Sequence, residues 1–214
     1  MELTELRYIV VEGVIGAGKT SLARRLGDHL RAETVFERAS DNPFLERFYS
    51  DRERYALATQ LNFLFQRADQ LRPLAQQGLF TQTVVGDFLL DKDPIFARLT
   101  LSDDEHALYT KVYEFLAPQA PAPDLVIVLQ ASIENLLARI ERRGIRYERG
   151  IERDYLRRLA DAYARHFHHY DRAPTLFVNT DELNFVDKPS HLSLLLGKIA
   201  EMRSHREFFS MTSA

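Results

Sequence analysis

The chain has 214 residues, 45% of them hydrophobic and 28% charged, with a net charge of -3. That length suits one medium-sized domain with a sizeable core, and a weakly acidic balance excludes a surface built as a whole to coat nucleic acid or an anionic membrane. There is no cysteine, which excludes disulfides, thiolate metal ligands and thiol catalysis and accords with a reducing cytoplasm.

The opening MELTELRYIVVEG lacks a basic region followed by a long apolar core, so no signal peptide is expected. No apolar run approaches the roughly 20 residues that span a bilayer. Arg7 to Glu12 reads as a short buried strand, followed by a glycine-rich turn and a helical pattern from about Lys19 to Ala32. Thr34 to Glu37 is a second strand, and Asp41-Asn42-Pro43 a turn or helix start. Arg52 to Gln77 has the spacing of a long helix, with Tyr55, Leu57, Leu61, Leu64, Phe65 and Leu71 recurring, and Pro73 is expected to kink or end it.

Thr81 to Gly86 reads as a strand and Asp103 to Leu116 as a helix, with the pair Asp103–Asp104 at its start. Ala117 to Asp124, APQAPAPD, is expected to be a stiff, exposed linker. LVIVLQ, Leu125 to Gln130, is a continuous apolar strand of the kind covered on both faces. Helices follow over Ile133 to Arg143 and Arg153 to Tyr170, then a last strand, Leu176 to Asn179, and a last helix, Ser190 to Arg203. Alternating strands and helices predict an α/β fold with a parallel five-stranded sheet between helices. The expected organisation is one domain over residues 1–205, with a lid at about 139–152 and a loosely held tail over 206–214. Tyr8, Phe63 and Phe65 are expected in the core. In HFHHY, His166 to Tyr170, adjacent histidines point apart on a helix, which argues against a metal tract.

GVIGAGKT, Gly13 to Thr20, fits the phosphate-loop pattern G-x-x-x-x-G-K-[ST] between a strand and a helix. Its backbone amides, from Gly13, Val14, Ile15, Gly16, Ala17 and Gly18 into Lys19, Thr20 and Ser21, are expected to cradle phosphates. Lys19 adds a mobile charge, and the Thr20 hydroxyl is a ligand for Mg²⁺. Residues 139–158 hold eight arginines, with Gly144 and Gly150 bracketing a hinged section. Arg139, Arg143 and Arg146 read as a lid that closes over a triphosphate, whereas Arg153, Arg157 and Arg158 read as a solvated face of Glu–Arg pairs. Asp87 ends the third strand, where ligands of open α/β sheets bind. It suits a base for an attacking hydroxyl, a holder of Mg²⁺ through water, or a cap of the next helix.

These features together resemble the deoxyribonucleoside kinase family, especially its bacterial purine-deoxynucleoside members, over about residues 7–187. The resemblance implies a P-loop kinase fold and transfer from ATP, with Mg²⁺, to the 5′-hydroxyl of a deoxyribonucleoside, in a cytoplasmic homodimer. It implies Glu37 near the 5′-hydroxyl, Tyr49 and Glu148 on the 3′-hydroxyl, and Gln60, Arg67 and Asp93 at the base edge. Val178 to Val186, VNTDELNFV, is similar to the loop bordering the donor adenine, which puts Asp181 on the ATP side. The chain departs from the pattern at Phe88, where the family has an arginine after the acid, and at Ile145 in the lid. Lys92 or a lid arginine is then the cation that compensates. Two other readings stay open: a monophosphate kinase holding its acceptor phosphate with Arg38 and Arg47, and a non-catalytic nucleotide-binding protein.

Overall fold

A computed structural model of the chain describes residues 5–76, 82–117 and 120–211. At its centre is Tyr8–Gly13 (β1), in which every residue is buried. A strand apolar on both faces needs cover above and below and a neighbour on each edge. β1 pairs in parallel with Val84–Gly86 (β3) on one edge and with Leu125–Gln130 (β4) on the other. Glu33–Val35 (β2) lies beyond β3, and Thr175–Asn179 (β5) and Arg206–Phe209 (β6) lie beyond β4. All pairings are parallel, in the order β2-β3-β1-β4-β5-β6. The chain leaves β1 toward one edge and leaves β3, its neighbour, toward the other, so a switch point lies between them, at the crevice where ligands of such sheets bind.

The sheet has six strands, not the five expected, because the stretch after Arg203 is not loose. Phe208 stacks on Phe177 with ring centroids 4.9 Å apart. Glu207 binds Lys198 at 2.6 Å and accepts the amides of Arg203 and Ser204 at 2.7 and 3.0 Å. A four-residue edge strand held by contacts of this kind has too little periodicity to announce itself. Residues 212–214 lie outside the described residues.

The helices are Lys19–Leu30 (α1), Leu45–Ser50 (α2), Arg52–Gln76 (α3), Asp93–Thr100 (α4), Asp103–Leu116 (α5), Ile133–Arg143 (α6), Arg153–His169 (α7) and Pro189–Glu201 (α8). The sequence reading lacked α2 and α4, both under nine residues and too short for a helical stripe. Pro73 does not end α3, which runs on to Gln76. Arg72 and Pro73 are exposed there, so water can replace the donor that proline lacks. Tyr8 and Phe63 are core residues, but Phe65 is 50% exposed. The buried stripe of α3 runs through Leu64, Arg67, Leu71 and Leu74, and Phe65 falls off it. Ser102 and Glu105 form a capping box at the start of α5.

The Pro/Ala stretch is not wholly exposed. Pro123 is buried, and Asp124 accepts the amides of Arg7 and Tyr8 at 2.7 and 2.8 Å, docking the stretch against β1. Residues 118–119 lie outside the described part, as do Thr81, at the predicted start of β3, and Gln77. His166 packs edge-on to Phe167 at 5.0 Å, while His168 and His169 are exposed.

Candidate active site

β1 ends where the backbone must pass very close to its neighbours. Gly13 has φ 147°, and a Cβ there would lie 2.6 Å from the carbonyl oxygen of Leu129. Gly16, at φ 84°, would meet the carbonyl oxygen of Leu136 at 2.7 Å. Only glycine lets the loop curl beneath β4 and α6 in this way. Gly18 then caps α1, whose first turn faces the crevice. The Lys19 ammonium folds back over the loop, donating to the carbonyls of Gly13 at 2.8 Å and Val14 at 3.3 Å. Burial and the neighbouring Lys92 lower its pKa. The loop from Gly16 to Ser21 forms one wall of a cavity of about 680 Å³, with α6 and residues 183–186 opposite.

Two α6 arginines meet this cavity differently. Arg139 donates to the Thr180 hydroxyl at 2.9 Å, the Thr180 carbonyl at 2.5 Å and the Ala17 carbonyl at 3.4 Å, so it clamps the loop after β5 to the phosphate loop. Arg143 points toward the other half of the site, placing Nε and Nη2 on Glu148 Oε2 at 3.0 and 2.5 Å. Gly144, at φ 71°, turns the chain out of α6 into the 3-10 turn Arg146–Gly150 that carries Glu148. Arg146 reaches Glu46 on α2 at 2.5 Å. Asp181 spends Oδ1 on the start of α6, accepting from Ser132 N, Ser132 Oγ and Asn135 Nδ2 at 2.8, 3.0 and 2.8 Å. Burial would raise its pKa, but these hydrogen bonds and Arg139 outweigh that and lower it. Arg153 pairs with Glu134 and Arg157 with Asp154 on the surface.

At the end of β3, Asp87 is 2% exposed, and both its oxygens are engaged. Oδ1 accepts the amide of Glu37 at 2.7 Å, and Oδ2 accepts the Thr20 hydroxyl. Glu37, just beyond β2, keeps 20% of its side chain open to the crevice. Its Oε1 collects Arg67 Nε at 2.8 Å, Arg67 Nη2 at 2.6 Å and Lys92 Nζ at 2.9 Å. Burial alone would raise the Glu37 pKa, but Arg67, Lys92 and Lys19 outweigh it and hold the carboxyl far below the usual range. Arg67, on α3, also donates to Asp93 at the start of α4 and stacks over Phe63 at 4.7 Å. Asp93 Oδ2 is buried and accepts no hydrogen bond among the described residues. Gln60, one face up α3, is buried, and its amide makes no hydrogen bond among the described residues. Tyr49, on α2, stacks on Tyr147 with centroids 5.7 Å apart, beside Glu148. Burial raises the Tyr49 pKa, so its hydroxyl stays protonated.

The structure thus joins Thr20, Asp87, Glu37, Arg67 and Asp93 in one hydrogen-bonded network, with the Lys19 ammonium acting on Glu37 and Asp87 through its charge, and joins Arg143 to Glu148. Sequence reasoning missed Glu12, Tyr147 and Thr180. Glu12 has no exposure, and its carboxylate accepts the amides of Gly13 at 2.9 Å and Leu89 at 2.7 Å. A charged residue closing an all-apolar strand, immediately before a phosphate loop, was the available signal for it. Phe88 is fully buried, and Lys92 meets the two glutamates nearby.

A phosphate loop walling one side of a cavity, beside a crevice lined with paired acids and cations, defines a P-loop kinase. The chain belongs to the deoxynucleoside kinase family, whose sequence profile matches residues 9–203, and the protein is a deoxynucleoside kinase. It is 33% identical over 200 residues to deoxyguanosine kinase of Bacillus subtilis (strain 168), covering 91% of this chain and 97% of the relative. It is 28% identical over 206 residues to the deoxyadenosine/deoxycytidine kinase of the same organism, covering 91% and 92%. Among solved structures, deoxyadenosine kinase from M. mycoides with bound dCTP superposes with a TM-score of 0.78 at 25% identity, over 91% of this chain and 100% of that one. Family membership sets aside the monophosphate-kinase and non-catalytic readings. No helix among the described residues is long and apolar enough to cross a membrane.

Proposed function

We propose that the enzyme transfers the γ-phosphoryl of ATP to the 5′-hydroxyl of a purine deoxyribonucleoside. The observation that carries this reading is the hydrogen-bonded path from Thr20 through Asp87 and the Glu37 amide to Arg67 and Asp93. It links the phosphate loop to the buried Arg67–Asp93 pair through hydrogen bonds. Phosphoryl transfer needs little covalent help and much positioning and charge stabilisation, and the site supplies both.

Mg²⁺ fits the donor side on the chemistry of the residues there. Thr20 donates its proton to Asp87, which leaves the hydroxyl oxygen as a hard ligand beside the triphosphate. When bound, the ion neutralises charge on the phosphates. The sequence alone favours Asp87 as the base, but the geometry supports a division of labour. Asp87 holds Thr20 and the ion's side of the crevice. Glu37 Oε2, which accepts no hydrogen bond among the described residues, orients the acceptor hydroxyl and takes its proton late in the transfer. A strongly ionised carboxylate is a weak base, which suits a transition state that is largely dissociative.

Lys19 and the loop amides hold the phosphates, and Arg139 keeps the donor cavity shaped. Arg143 lines that cavity and fixes Glu148 through Oε2, leaving Oε1 and the Tyr49 hydroxyl for the sugar 3′-hydroxyl. Asp93 Oδ2 is an unused buried acceptor, which supports a base carrying an exocyclic amino group, which adenine and guanine have and thymine lacks, read together with Gln60. The test is phosphorylation of the four deoxynucleosides with ATP and Mg²⁺. Deoxyguanosine and deoxyadenosine should exceed thymidine in kcat/KM by about tenfold or more. A pyrimidine preference removes the purine assignment, and a nucleoside product phosphorylated elsewhere than the 5′-oxygen removes the whole reading.

A cytoplasmic homodimer is part of the same proposal. Phe65 on α3 and Leu108 and Phe115 on α5 are 50, 51 and 75% exposed on helices that pack together. Phe115→Lys should shift the sedimentation coefficient toward that of a monomer.

A further inference from the structure

Phe88 and Lys92 stand four residues apart after β3, and both are buried, at 0 and 2% exposure. A buried lysine is costly unless its ammonium is paired. Two carboxylates meet it: Glu37 Oε1 at 2.9 Å and Glu12 Oε1 at 3.5 Å. Glu12 does not swing, because the amide of Gly13 donates to its Oε2 and that of Leu89 to its Oε1. It is a fixed anchor joined to the first peptide of the phosphate loop. Glu37 is the partner open to the crevice, with every donor among the described residues on Oε1 and none on Oε2.

We propose that Lys92 is a positioning residue for the transfer. By bridging Glu12 to Glu37 Oε1 it turns Oε2 toward the acceptor hydroxyl and ties the acceptor carboxylate to the phosphate loop. This rests on the 5′-kinase reading above. Arg67 does not serve in its place, since its Nη1 is committed to Asp93 while its Nε and Nη2 hold Glu37 Oε1 from the α3 side, and it makes no bridge to Glu12 among the described residues. An ammonium is also the better bridge, because three rotatable donors can serve two carboxylates that share no plane. The groups facing Glu37 are Arg67 from α3, Lys92 from the turn before α4, Lys19 from α1, Glu12 from β1, Asp87 at the end of β3 and Tyr163 from α7. Taking away Lys92 leaves two acids of this set with one cation fewer, so the Glu37 pKa rises.

The experiment compares Lys92→Met, Lys92→Arg and Glu37→Gln with the wild type. It reads kcat, both KM values and the pH dependence of kcat/KM, with thermal unfolding as the control for folding. Lys92→Met should lower kcat about a hundredfold, change each KM by less than about threefold, and move the acid limb to higher pH. Lys92→Arg should keep about a tenth or more of wild-type kcat, with the acid limb in place. A folded Lys92→Met with kcat within about threefold of the wild type, or with its acid limb unmoved, overturns the proposal. If Lys92→Met does not fold, Lys92→Arg decides: kcat below about a tenth of the wild type overturns it. A near-normal Glu37→Gln would instead remove the acceptor role on which the proposal rests, so the two failures are distinguishable.

Discussion

The donor pocket is made largely of backbone, whereas the acceptor crevice is made almost wholly of side chains from distant elements. On the donor side the glycines, the free amides of α1 and the carbonyls that hold Lys19 fall within residues 13–20. On the acceptor side Arg67 reaches back 30 residues to Glu37 and forward 26 to Asp93, and Leu89 reaches back 77 to Glu12. A backbone cradle serves any nucleoside triphosphate, so it carries affinity with little choice. A side-chain lattice can be retuned residue by residue, so selectivity belongs there. The two meet at the Thr20–Asp87 hydrogen bond and at Glu12.

The sharpest way to separate the halves is to disable the donor side. Lys19→Met removes the one mobile charge of the cradle, and kcat/KM should fall about a thousandfold with every nucleoside alike. Equilibrium binding of nucleoside alone should survive. A fall that differed among the four nucleosides would mean that the donor half also selects.

Next in size are the two acids at the seam. Glu37→Gln and Asp87→Asn should each cost about a hundredfold in kcat, but raising the Mg²⁺ concentration should recover part of the Asp87→Asn loss and none of the Glu37→Gln loss. Equal responses to Mg²⁺ would erase the division of roles. The pH profile adds a sign. The Glu37 pKa is lowered in the fold, so its contribution to stability is present above the unfolded carboxyl pKa and lost as pH falls through the lower folded value. The acid limb of kcat/KM should therefore lie below the ordinary carboxylate range.

The same contrast explains what could be read from the sequence. GVIGAGKT was legible because its physics is local, and LVIVLQ because a strand covered on both faces is apolar throughout. Arg67 and Asp93 came from a resemblance, not from periodicity, since nothing local says that position 67 will face position 93. Arg139 lines the cavity beside the phosphate loop and Asp181 does not, and neither was legible as the clamp and the helix cap that they form. Their partners, Thr180 and Ser132, are set by how β4 and β5 lie side by side. Glu12 was hidden because its partners are amides supplied by the fold. The exchange of Phe88 for a cation at position 92 was visible as a gap, and only the turn Leu90–Lys92 shows what fills it.

Within the acceptor half, Asp93→Asn should have a smaller and more selective effect. It keeps the shape, makes one buried oxygen a donor and weakens the charge pair with Arg67. Discrimination between amino-bearing bases and thymidine should shrink about tenfold, which corresponds to about 1.4 kcal/mol. Loss of kcat equal for all bases would show Asp93 to be only a prop for Arg67.

The smallest effect is expected at a place in neither half. β6 lies on the far edge of the sheet, and Phe208 is 66% exposed, yet its ring stacks on Phe177 at an interplanar angle of 15°. Phe208→Ser should cost about 0.5–1 kcal/mol, the lower part of the range for an aromatic pair, because one face of the ring is already in water. For a chain of this length that corresponds to a fall in Tm of about 1–4 °C. Neither kcat nor either KM should move. Since β6 pairs only with β5 among the described residues, and β5 leads directly into Thr180 and the Arg139 clamp, a change in the KM for ATP would show that the edge strand braces the donor cavity. An unchanged Tm would show that the Phe208 ring adds nothing to the fold beyond the backbone pairing of β6.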